Sequence, residues 1–238
     1  MLKKLIPLIA ATSLALGGAA YAESSLVYVV NNESDTFDPG TTNETFAAPI
    51  IGNTFEGLVK FAPDGAIVPA LAESWEISED GLTYTFKLRE DAKWSDGEPV
   101  TADDFIYAWT RVLTPASGAK NSALLYHIEG AQEFYEGAEA KPNMKAVDEH
   151  TVEFTLKQRV PYMLQLVAYS TYFPVRQDVV EADPEGWTRS PDTYIGTGPF
   201  RVTEMNLGEG FVFEKNPNYY GAENVKLDKL TFRLIPQQ

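Results

Sequence analysis

The chain contains no cysteine and only two histidines, His127 and His150. Disulfide staples are therefore excluded, and a structural zinc site lacks its usual complement of nitrogen and sulfur ligands. Positive charge is also scarce, with 19 Lys plus Arg against 34 Asp plus Glu and a formal net charge of −15. A field of that sign repels phosphate backbones and anionic lipid, which argues against nucleic acid or acidic membrane surfaces as partners. No Gly-x-Ser-x-Gly elbow occurs, and any Ser-His-Asp triad would have to recruit one of the two histidines. Nucleophilic hydrolysis and a cofactor-dependent reaction both lack a signature.

What is present suits a globular fold. The 238 residues are 44% hydrophobic and 12% aromatic, enough to bury a sizeable core in one or two domains. Lys3 and Lys4 precede an apolar stretch from Leu5 to Ala15, and Ala20-Tyr21-Ala22 is a small-x-small cleavage site. Residues 1–22 therefore read as a secretory signal peptide, too weak at Gly17-Gly18-Ala19-Ala20 to complete a membrane span of ~20 apolar residues. Without a cysteine after the signal there is no lipoprotein acceptor. A soluble protein of a Gram-negative periplasm is expected, cleaved before Glu23.

Leu26–Val30 is a nearly continuous apolar, β-branched run, predicting a strand buried on both faces. A Thr/Asn/Asp/Gly/Pro-rich loop follows from Asp35 to Glu44, then a helix up to Phe55 started or interrupted near Pro49. From Leu58 to Leu88 the pattern changes to hairpins punctuated by Pro63-Asp64-Gly65 and Glu79-Asp80-Gly81, with period-two alternation from Thr83 to Leu88. Thr101 reads as an N-cap, and Asp103-Asp104 as first-turn acids favoured by the dipole of a helix over Phe105–Leu113. Leu124, Leu125, Ile128 and Ala131 predict a helix within Leu124–Tyr135, and a hairpin is expected across Asp148-Glu149-His150. Short helices over Pro161–Ala168 and Val175–Ala182 and three strands between Phe200 and Ile235 complete the reading. The order allows a discontinuous domain around an inserted α+β block.

Several segments together resemble one family. Asp38-Pro39, Phe55-Glu56-Gly57-Leu58, Ala70-Leu71-Ala72-Glu73-Ser74-Trp75, Leu88 through Phe105, Ile195-Gly196-Thr197-Gly198-Pro199-Phe200 and Asn216-Pro217-Asn218-Tyr219-Tyr220 follow the order found in periplasmic oligopeptide-binding proteins. These form part of the solute-binding family of ABC importers that also holds dipeptide-, nickel- and haem-binding members. The resemblance implies a mixed α/β, type II-like periplasmic binding protein of the three-lobed subclass. Residues 23–57 plus 181–238 would form lobe one and 58–180 an inserted lobe two, with the third lobe of the longer relatives absent from this chain. It further implies a peptide ligand and the permease subunits of an ABC transporter as partners, and no cofactor.

Within that resemblance Thr42, Asn43, Glu44, Thr45 and Phe46 fall on the loop that relatives place at the ligand cleft. There an extended peptide would add to main chain as a strand. Asn43 stands where a relative carries a loop acid, with Glu44 beside it, and Asn121 falls near an aromatic that some relatives offer. Dipeptide, nickel complex and haem stay open as ligands. In a different class, a secreted hydrolase would need a carboxylate pair, of which Asp103-Asp104 is the most conspicuous. Trp75, Trp94, Trp109 and Trp187 are assigned to packing.

Overall fold

The computed structural model describes residues 23–235. The signal-peptide assignment of residues 1–22 lies outside them. In chain order the elements are β1 (Ser25–Val30), α1 (Ala48–Thr54), β2 (Val59–Phe61), β3 (Ile67–Pro69), β4 (Ala72–Ile77), β5 (Thr83–Leu88), α2 (Ala102–Val112) and α3 (Ala131–Tyr135). They continue with β6 (Met144–Asp148), β7 (Thr151–Thr155), α4 (Met163–Val167), α5 (Gln177–Ala182), β8 (Phe200–Asn206), β9 (Gly210–Lys215) and β10 (Lys229–Leu234).

Two four-stranded sheets organise the molecule. One has the order β1-β10-β9-β8, in which β1 runs parallel to β10 and the other neighbours are antiparallel. It joins the first described strand to the last, pairing Ser25 with Lys229 and Val30 with Leu234. The other is the antiparallel sheet β4-β5-β7-β6, and β2-β3 form a separate hairpin. The alternation in β5 is realised: Tyr84, Phe86 and Leu88 are buried and stack or pack against Phe154 of β7 and its neighbours. Trp94, Trp109 and Trp187 are buried in one continuous core that also holds Phe213 and Phe232, while Trp75 packs at its edge on Phe86.

Helix α2 begins as its sequence requires. The Asp104 carboxylate accepts the Thr101 backbone N–H at 2.8 Å and its hydroxyl at 3.1 Å, closing the first turn.

Two expectations are corrected. β1 is not buried on both faces: Leu26, Val27, Tyr28 and Val29 are each about half exposed. β1 is the terminal strand of its sheet, with β10 as its only neighbour among the described residues, so an apolar run that reads as interior lies at an edge. The stretch Leu124–Tyr135 is not one helix. Ser122–His127 forms a 3-10 turn, Ile128 turns extended to bridge Leu156, and Gly130 takes φ +77° before α3. A side chain at Gly130 would meet the Lys141 carbonyl at 2.8 Å, so the break is built into the packing.

Candidate functional site

The segment from Asn31 to Ala47 leaves the end of β1 and enters α1, and its shape is set by short local bonds. The Asp38 carbonyl accepts the Thr41 and Thr42 amides, and the Asp38 carboxylate accepts the Gly40 amide at 2.9 Å. Thr42 is buried, and its hydroxyl accepts the Glu44 amide at 3.2 Å. Tyr194, itself fully buried, donates its hydroxyl to the Phe37 carbonyl at 2.9 Å and pins the start of the loop.

Of the five residues expected to meet ligand, the structure turns Asn43, Thr45 and Phe46 outward, keeps Glu44 half-buried and withdraws Thr42 beneath them. Among the described residues the Asn43, Thr45 and Phe46 amides have no hydrogen-bond partner in the protein, which leaves main-chain donors available to an extended ligand. Glu44 reaches back to accept the Asp35 amide at 3.1 Å. That bond joins the loop to a groove of about 480 Å³ lined by Glu33, Ser34, Asp35, Phe37, Thr188, Arg189 and Leu207.

The groove residues were not singled out from sequence. Asn32-Glu33-Ser34-Asp35 has no pattern beyond that of a polar turn, and Arg189 arrives from a distant 3-10 turn. Glu33 accepts the Gly208 amide through both carboxylate oxygens, and Arg189 donates to the Asp35 carbonyl at 3.4 Å. Loop and groove together present carboxylates, a guanidinium and free main-chain amides. Such a set of groups can hydrogen-bond the main chain and charged ends of an extended ligand.

The remaining candidates are dispersed. Asp104 is engaged in the α2 cap and its carboxyl is raised by burial, while Asp103 is exposed. Asp104 is thus committed to the start of α2 and Asp103 to solvent. His127 is lowered by burial and by nearby Lys157, and among the described residues no cluster of His, Asp or Glu could hold a metal. Next to Asn121, the Lys120 amide donates to the Thr41 carbonyl at 3.2 Å.

Four of the recurring motifs converge instead on a buried joint. Gly198 donates its amide to the Thr54 carbonyl, and the Thr197 hydroxyl both accepts the Glu56 amide and donates to the Glu56 carbonyl. The Ser95 amide donates to the Gly196 carbonyl, and Asn216 and Asn218 donate to the Gly198 and Ser95 carbonyls. Beside them the Glu56 carboxylate accepts the hydroxyls of Tyr219 and Tyr220 and the Lys60 ammonium, each at 2.8 Å. The Gly-Thr-Gly segment is thus a packing device against the end of α1.

The mixed fold, with a polar loop following β1, is that of a known family. Residues 66–238 match the model of the bacterial extracellular solute-binding proteins, family 5 middle, and the chain belongs to that family. It is 39% identical to the dipeptide-binding protein DppE of Bacillus subtilis, over 88% of this chain and 39% of that protein. It is 35% identical to the probable deoxycholate-binding periplasmic protein YgiS of Escherichia coli, over 87% of this chain and 39% of that protein. The crystal structure of the substrate-binding domain of an oligopeptide ABC transporter from Bacillus anthracis superposes with a TM-score of 0.87 at 37% identity, covering 90% of this chain and 42% of that one. The chain thus spans about two fifths of the length of these relatives.

Proposed function

We propose that this chain supplies the first two lobes of the substrate-binding component of an ABC importer. The receptor takes up oligopeptides in the periplasm, delivers them to a membrane permease and performs no chemistry itself. Lobe one comprises residues 23–57 and 181–238, and 58–180 are the insertion. Residues 1–22 direct export. The observation that carries the reading is the backbone match to a solved oligopeptide-transporter binding domain over nearly the whole described chain. Asn43, Glu44, Thr45 and Phe46 meet the ligand, and Thr42 supports them from below.

The test is calorimetric titration of trialanine into this chain and into the same chain extended by the C-terminal part of the B. subtilis relative. Binding is expected in the extended form, because enclosure between lobes buries most of a ligand's surface. Ala at Asn43, Glu44 or Thr45 should weaken it about tenfold, equivalent to ~1.4 kcal/mol, with the melting temperature held. Loop variants that bind like the parent would retire the site. Response to deoxycholate, a nickel complex or haem with none to peptide would overturn the ligand class.

A further inference from the structure

The geometry points to Arg111 as a positioning residue for the ligand-binding loop, acting on it from the inserted lobe through Asp38. This rests on the reading of Thr42–Phe46 as the loop that meets peptide.

Arg111 lies in the last turn of α2, 73 positions from Asp38 in sequence. Both its terminal nitrogens donate to the Asp38 carboxylate, Nη1 to Oδ1 at 3.2 Å and Nη2 to Oδ2. The Asp38 side chain is 4% exposed and that of Arg111 17%, so water competes little for either. A two-pronged guanidinium–carboxylate contact fixes orientation as well as distance, which a lysine ammonium does not do.

What Asp38 does with its other lone pairs makes this more than a packing contact. The carboxylate also accepts the Gly40 amide, and the carbonyl of the same residue accepts the Thr41 and Thr42 amides. Every turn bond from 38 to 42 therefore originates at the residue Arg111 clamps. The path continues from the Thr42 hydroxyl to the Glu44 amide, and from the Glu44 carboxylate to Asp35 at the groove. The loop backbone is drawn so close to α2 that a side chain at Gly40 would meet Val112 at 2.9 Å. The Lys120 amide bonded to the Thr41 carbonyl is a second tie to the insertion.

The test compares Arg111→Met, Arg111→Lys and the double change Arg111→Met with Asp38→Asn, using amide hydrogen exchange, thermal melts and trialanine titration. Exchange and melts use residues 23–238, and the titration uses their extended form. Arg111→Met strands a buried carboxylate, so both the melting temperature and the order of the loop should fall. The double change removes that charge, so the melting temperature should return towards the parent. The Gly40–Glu44 amides should still exchange about tenfold faster, and trialanine should still bind about tenfold more weakly. Arg111→Lys should lie between parent and Arg111→Met in exchange.

Recovery of exchange and affinity together with the melting temperature would overturn the proposal, leaving Arg111 a purely structural residue. Unchanged loop exchange in Arg111→Met would overturn it as well. If the parent binds no trialanine, the peptide reading fails, while the exchange comparison still decides whether Arg111 positions the loop.

Discussion

At the residue scale, the most constrained positions lie where the motifs meet. A Cβ on Gly196 would stand 1.9 Å from the Thr54 carbonyl oxygen and one on Gly198 2.6 Å from the Thr54 carbonyl carbon. Backbone cannot yield as a flexible side chain does, so Gly196→Ala should destabilise by about 1–3 kcal/mol or more. Urea denaturation checks this, and a midpoint within error of the parent would contradict the close approach. Glu56 gives the joint a pH response. Burial first, then the Glu56 charge, pushes the Tyr219 and Tyr220 hydroxyls up, and for Lys60 the opposing effect of burial is outweighed by Glu56, which raises it. Each group holds its proton to higher pH when folded, so this stability is complete below about pH 10 and is lost as pH climbs through the folded values. Glu56→Gln should melt lower than the parent at pH 8, with the gap narrowing above about pH 10; a gap independent of pH would exclude Glu56 as the cause.

At the element scale, local signals were read well where local chemistry decides the outcome. The hairpins at Pro63-Asp64-Gly65 and Glu79-Asp80-Gly81, the alternation of β5 and the N-terminus of α2 all follow from turn residues, period and capping. Thr101→Ala removes a hydroxyl bonded to the half-buried Asp104 carboxylate and should cost about 1 kcal/mol, read as a shift in urea midpoint with unchanged slope. The failure at Leu124–Tyr135 has the opposite origin. Its apolar spacing is helical, but a bridge from Ile128 to Leu156 and the close approach of Lys141 to Gly130 are contacts between distant parts of the chain, which periodicity does not register.

At the scale of the whole molecule, the same distinction separates what the sequence disclosed of the site from what it did not. The proposed loop Thr42–Phe46 was located from its motif neighbours, whereas the groove at Glu33–Asp35 and Arg189 and the Arg111–Asp38 contact join residues far apart in sequence, which no local pattern registers. β1 is the sharpest case. Its composition announces a strand, but the cover that composition calls for is a property of everything packed around it, and among the described residues nothing pairs with its outer edge. Ser25-Leu26-Val27-Tyr28-Val29-Val30 carries no charge, proline or bulge of the kind that protects an edge strand from pairing with another chain. Residues 23–238 should therefore self-associate in a concentration-dependent way, through β1 of one copy meeting β1 of a second. Val27, paired with Thr231 and 55% exposed, is the position at which a charge can be added without entering the core. Sedimentation velocity over a hundredfold dilution series should show the parent shifting towards monomer only when dilute, and Val27→Lys remaining monomeric throughout. Equal association by the two chains would place the contact elsewhere, and a monomeric parent at every concentration would show that an uncharged edge of this length is not enough to draw two copies together.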